Sequence, residues 1–216
     1  GMGAMSDPYN PFEETELLTR HALELLDAYG FGVAIATKSD RIVRDIDLFQ
    51  SIQSHSPVVC KITVTTADDA LAAKVEPGAP APSRRLEAVR RLSGAGVFTG
   101  VLLMPVLPFL EDRWEQVEDV LEKAAQAGAR FVYPAFGMTM RDGQREYYLR
   151  RLEELFPEKK LARRYEQRYG TRYTCASPDA ARLWKRFQAK CKELGLLYEM
   201  RQIISAAKRG YGDRQL

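Results

Sequence analysis

The chain has 216 residues, is 45% hydrophobic and 28% charged, and carries a formal net charge of +3. This is enough apolar material for one substantial core, and too small a charge excess to announce nucleic-acid binding by itself. No apolar run is long enough to span a bilayer, and the first twenty residues lack a secretory pattern, so no membrane partner is expected and the cytoplasm is the default location. Cys60, Cys175 and Cys191 are widely spaced and odd in number, which argues against a disulfide framework and against a compact cysteine metal motif.

The chain opens "GMGAMSDPYNPFEETELLTR". Gly1 before Met2 reads as the scar of a removed tag, and Met2 to Met5 as the end of a buried strand running into an active-site loop. Pro11 with Glu13, Glu14 and Glu16 opens a predicted helix with apolar positions at Leu17, Leu18, Leu25 and Leu26, closed by Gly30. "FGVAIAT" is a nearly all-apolar strand. A helix over about 44–53, the strand "PVVCKITVTT", the loop "EPGAPAPS" and the helix "RRLEAVRRLSGAG" follow. The strand "FTGVLLMPVLP", a helix over about 111–127 closed by Gly128, and the strand "RFVYPAF" complete the series. Wholly apolar strands alternating with amphipathic helices predict parallel βα units, hence an α/β fold. After Phe136 the pattern is helical and charged, with no further strand expected.

In such folds the chemistry sits at the carboxyl ends of the strands. The candidate positions are Ser6 and Asp7, Lys38 and Ser39, Thr63, Thr65 and Thr66, Met104 to Pro108, and Pro134 to Met138. Each has a plainer reading: Asp7 before Pro8 is a turn former, Thr63 and Thr65 suit a strand, and Ser39 with Asp40 caps a helix. Lys38, closing a buried strand, can snorkel to solvent, grip a carboxylate, or form an imine in an ordinary barrel-type lyase.

The segments "SDPYNPFE", "LTRHALELL", "ATKSDRIVRDIDLF", "EPGAPAPSRRLEAVRRLSGAG", "MPVLPFLED" and "YTCASPDAARLW", taken in order, resemble the radical S-adenosylmethionine proteins of the spore photoproduct lyase-like branch, often labelled DNA repair photolyases. The resemblance runs from Gly3 to about Tyr211. It implies a partial (βα) TIM-like barrel over 1–140, with a helical C-terminal extension over 141–216. It also implies S-adenosylmethionine beside a 4Fe-4S cluster, and chemistry through a 5'-deoxyadenosyl radical. By the same resemblance, Ser6 and Asp7 lie near the methionyl amino group, and Lys38 and Ser39 near its carboxylate and sulfonium. Thr63 and Thr65 lie near the ribose and carboxylate, Glu76 and Arg85 form an ion pair shaping the site, and Met104 to Pro108 lie near the adenine.

The family holds its cluster with a CxxxCxxC loop after the first strand, and no such spacing occurs in this chain. Beside the family, the chain reads as a C-terminal part beginning at the end of the second strand, truncated at the N-terminus. It is expected to be inactive as given and to hold neither cofactor stably alone; the alternative is a noncatalytic scaffold or partner-binding remnant. A bare edge at Phe31 to Thr37 predicts either homo-oligomerisation or an N-terminal segment laid over it. From Lys159 to Arg172, "KKLARRYEQRYGTR" holds six basic residues and one acidic one, with Tyr165 and Tyr169 interleaved. Together with "RLWKRFQAKCK", the region 159–192 suits either a nucleic acid or the solvated faces of helices whose aromatics, Trp184 and Phe187 included, pack inward.

Overall fold

The computed structural model describes residues 1–3, 6–141 and 143–211. Ala4 and Met5 of the expected opening strand lie outside the described residues. A 3-10 turn over Pro11–Glu14 leads to α1 (Leu18–Ala28), β1 (Val33–Thr37), a 3-10 turn over Asp40–Asp45, α2 (Ile46–Gln53) and β2 (Val58–Thr63). Then come α3 (Asp69–Val75), α4 (Pro82–Gly94), β3 (Thr99–Leu103), α5 (Trp114–Gln126) and β4 (Phe131–Pro134). The remainder comprises β5 (Gly137–Thr139), α6 (Gln144–Leu155), α7 (Leu161–Tyr169), β6 (Thr174–Ala176), α8 (Ala180–Glu193) and α9 (Met200–Ala207).

The four apolar strands form one parallel sheet in the order β1-β2-β3-β4, with Ile35 beside Cys60, Cys60 beside Thr99 and Val101 beside Val132. The sheet is open, so the fold is a mixed α/β partial barrel. Ile35, Cys60, Ile62, Val101 and Val132 are fully buried under helices that contribute Leu23, Phe49, Val89 and Leu121. Each such large apolar side chain stabilises the fold by about 1.5–3 kcal/mol. The same core takes in Leu183, Phe187 and Cys191 of α8. A second core gathers Leu110, Leu152, Phe156, Leu161, Tyr165 and Tyr169.

Met2 pairs in parallel with Ile35: its N–H donates to Ala34 O at 2.8 Å, and its carbonyl accepts from Ala36 N at 3.1 Å. At Gly3, φ is +91°, and a Cβ there would collide with the Ala36 carbonyl. The β1 edge is thus covered at this point by the chain's own N-terminal residues.

Four local expectations need correction. The helix expected to run unbroken from Pro11 to Gly30 is split at Leu17, which takes a left-handed φ of 51°. Glu13 then accepts the N–H groups of Thr19 at 2.9 Å and Arg20 at 3.3 Å, capping α1 from the preceding turn. Its buried face is Thr19 and Leu23, while Leu18 and Leu25 are exposed. The strand expected to continue to Thr66 ends at Thr63, and α3 follows, capped by the Asp68 carboxylate accepting from Ala70 N and Leu71 N. Two strands also occur after Phe136: β5 and β6 pair antiparallel with Met138 opposite Cys175, joining residues on either side of position 140. Three residues each are too few to show a period.

Candidate functional site

The carboxyl ends of the parallel strands open on one cleft of about 790 Å³, walled opposite by β5 and β6. Of the sequence candidates, Ser6, Asp7, Lys38, Thr63, Met104, Pro105 and 135–138 line it. A second cavity of about 570 Å³ adjoins it across Lys38, Pro105 and Met138 and reaches Thr65, Glu76, Glu111 and Tyr148.

Asp7 sits in the cleft wall, yet its carboxylate is occupied. One oxygen accepts from Thr37 Oγ1 at 2.5 Å and Tyr9 N at 2.9 Å, and the other from Lys38 N at 2.8 Å. It fastens the Ser6–Pro11 loop to the end of β1. Below that loop, buried Asp45 receives Arg20 Nη1, Arg44 Nε and the Tyr9 hydroxyl, at 2.9, 2.9 and 3.0 Å. Ser39 does not line the cleft. Its hydroxyl accepts the Arg41 N–H at 3.3 Å and caps the 3-10 turn.

Lys38 Nζ is ion-paired with Glu76 Oε1, and Arg85 Nη2 with Glu76 Oε2 at 2.6 Å, so one carboxylate bridges two cations. Arg85 is 1% exposed, lies behind the wall, and also donates to Pro80 O at 2.7 Å and Thr63 O at 3.1 Å. The Glu76–Arg85 pair thus ties the 75–80 loop to the end of β2 and props Lys38 at the rim. Burial pushes the Glu76 carboxyl up, but Lys38 and Arg85 together outweigh this and hold it below the usual carboxylate range.

Glu111 was not a sequence candidate. It is fully buried where the 105–113 loop turns toward α5, and it accepts from Thr65 Oγ1 at 3.0 Å and Leu107 N at 2.9 Å. Burial raises its carboxyl to about 7 against the opposing effect of those hydrogen bonds. The available signal was a carboxylate set in the apolar run "PVLPFLED", where it reads equally well as the start of a helix.

The basic-aromatic region divides only in part, since Tyr173 and Trp184 remain exposed, Trp184 against the expectation that it packs inward. Tyr165 and Tyr169 point into the second core, donating to Pro108 O at 2.8 Å and Ala176 O at 2.6 Å, while Arg163, Arg164 and Arg168 face outward. Phe187 is buried against Trp184, with ring centroids 5.6 Å apart.

The molecule is thus an open parallel α/β sheet with a polar-rimmed cleft beyond its strand ends, the place where ligands sit in folds of this class. Compared with known proteins, no family model matches the sequence. An uncharacterized protein of Mycobacterium tuberculosis (strain H37Rv) is 32% identical over 168 residues, 78% of this chain and 48% of the relative. An uncharacterized protein of Acidianus two-tailed virus is 28% identical over 177 residues, 80% of this chain and 56% of the relative. The chain therefore spans about half the length of the curated relatives it matches. Among solved structures, a spore photoproduct lyase variant aligns with TM-score 0.56 at 16% identity, covering 97% of this chain and 58% of that one. A variant with bound AdoMet and dinucleoside spore photoproduct aligns with TM-score 0.53, again at 16% identity, over 97% and 58%. The fold is thus similar to that of spore photoproduct lyase.

Proposed function

We propose that this chain forms the cofactor-binding rim of a radical S-adenosylmethionine enzyme of the spore photoproduct lyase-like type. The observation that carries the reading is the convergence of Ser6, Lys38, Thr63 and Met104, from the opening loop and three successive strand ends, on one cleft. Its volume lies within the range of about 300–1,000 Å³ typical of small-molecule sites. An ammonium and two hydroxyls on a largely apolar wall suit the carboxylate and ribose of S-adenosylmethionine, and Met104 offers an apolar contact for the adenine. Asp7 would hold the loop that presents Ser6, and Glu76 with Arg85 would hold Lys38.

The iron-sulfur cluster does not fit the described residues, among which no group of three His, Cys, Asp or Glu is placed to hold a metal ion. Cys60, Cys175 and Cys191 are buried on β2, β6 and α8. With a reduced cluster, S-adenosylmethionine supplies one-electron, hydrogen-abstracting chemistry; in the proposed whole enzyme the cluster's ligands come from outside the described residues. Under this reading the chain alone is not catalytic and holds S-adenosylmethionine weakly. The intact protein is proposed to act on nucleic acid, with the outward arginines of α7 as phosphate contacts.

Titrating S-adenosylmethionine into isotopically labelled protein tests the cofactor reading. Amide shifts are expected at Ser6, Lys38 and Thr63 and are expected to vanish in Lys38→Ala. Shifts that persist unchanged in Lys38→Ala, or that appear only on α8 and α9, would refute it.

A further inference from the structure

Helix α1 has two apolar faces. The inner one, Leu23 with Leu26, packs on the main core. The outer one is formed by Leu18, Ala22, Leu25 and the capping residue Tyr29, at intervals of four, three and four residues. This spacing keeps them within about 60° of one another around the helix axis and is the seam by which one helix receives another. Leu18 is 66% exposed, Leu25 60% and Tyr29 75%; Phe31, whose N–H closes the helix end on Leu26 O at 2.8 Å, is 51% exposed. Taking about 200 Å² for a whole side chain of this size, these four leave roughly 500 Å² of largely apolar surface uncovered. A homodimer interface takes about 800 Å² from each partner and is about 65% apolar, so the patch supplies the apolar share of one such interface. No charged residue interrupts the seam: Arg20 turns to Asp45 and Asp47, and Asp27 is engaged by Ser51 and His55. The exposed charge of α1 and the turn before it is acidic, from Glu14, Glu16 and Glu24. That suits neither nucleic-acid phosphates nor an anionic membrane, whose surface helices carry Lys and Arg.

We propose that this face binds a second copy of the chain, α1 against α1 in antiparallel order about a two-fold axis. The four-three-four spacing reads the same in both directions, so the seam is complementary to itself. Leu18 then meets Tyr29 of the partner subunit, and Ala22 meets Leu25 of the partner subunit. A small residue set against a large one lets the helix axes approach to about 8–10 Å, and the opposed macrodipoles favour the same order. Each contact occurs twice, as a closed two-fold interface requires. The other route to self-association, pairing along the β1 edge, is already taken in part by Met2 on Ile35. None of the seam residues lines either cavity, so the proposal does not depend on the cofactor reading.

The test is sedimentation velocity of the unmodified protein at about 50 µM, where a dimer of micromolar affinity is mostly formed and the mass of two chains is expected. Leu25→Glu sets two carboxylates close to the axis and is expected to weaken the dimer at least tenfold while leaving the circular dichroism spectrum unchanged. Ile204→Glu, on the exposed apolar side of α9, is expected to leave it as it is. A short bifunctional maleimide is expected to link two copies through Ala22→Cys, since Cys60, Cys175 and Cys191 are buried. A monomer at this concentration, a Leu25→Glu dimer as tight as the native one, or no linkage through Ala22→Cys would each overturn the proposal. The first and third readings hold even where Leu25→Glu fails to fold.

Discussion

Replacing Arg85 by Met tests the rim at its most loaded point. The side chain is 1% exposed and its guanidinium donates to Glu76, Thr63 O and Pro80 O. Methionine fills much of the volume but leaves two carbonyls unmet and gives the half-buried Glu76 only Lys38 as partner. Removing one member of a buried ion pair costs about 3–5 kcal/mol, a large share of a net stability of about 5–15 kcal/mol. With a urea slope of roughly 3 kcal/mol/M for a domain of this size, the midpoint of unfolding followed by far-ultraviolet circular dichroism should fall by roughly 1–2 M. Arg84 supplies the control: its side chain is 67% exposed and paired with Asp40, so Arg84→Met should cost no more than about 1 kcal/mol. The depressed Glu76 carboxyl adds a sign. Its contribution is present above the unfolded carboxylate pKa and is lost as pH falls through the lower folded value, so the gap between native protein and Arg85→Met should narrow in acid. Equal midpoints for the Arg84 and Arg85 variants would show that the Glu76 bridge does not hold the rim together.

Glu111 runs the opposite way. Its raised carboxyl means the folded state binds the extra proton, so stability should drop by about 3 kcal/mol as pH rises from about 4.5 to 7, and Glu111→Gln should flatten that slope; parallel pH profiles by chemical denaturation would contradict the assignment. Asp45→Ala removes the buried carboxylate that Arg20, Arg44 and Tyr9 share, while Arg20 keeps Asp47 and Arg44 keeps Glu13, and should cost about 1.5–3 kcal/mol, against about 1 kcal/mol for Tyr9→Phe, which removes one hydrogen bond. Thermal unfolding ranks the two, and the reverse order would be a refutation. Glu substitutions at Arg163, Arg164 and Arg168 should leave the circular dichroism spectrum intact and lower any DNA affinity at least tenfold at low salt. Unchanged affinity in a filter-binding assay would remove α7 as a phosphate contact.

Because Tyr165, Tyr169 and Phe187 are buried, an interaction at α7 would rest on charge and lack stacking from these three rings. The sequence left open whether those aromatics faced a ligand or the interior. Helical spacing is the same in both cases, and only the presence of α6 and the 105–110 loop on one side of α7 decides it.

Composition and local pattern by themselves determined the parallel α/β sheet. Strands such as 33–37 and 58–63 are apolar at nearly every position, Lys61 being the one charge, and alternate with amphipathic stretches of helical length that can cover them. Parallel order then determined that Thr37-Lys38, Thr63 and Met104 would share one rim, since every strand ends on the same side. Tertiary structure alone decided the rest. The break at Leu17 follows from Glu13 capping α1 across a turn, and β5 exists because Gly137–Thr139 meets Thr174–Ala176, far away in the chain. Glu111 became a buried, proton-holding carboxyl only through the elements folded over it, because desolvation is a property of surroundings that no residue carries in its own neighbours along the sequence.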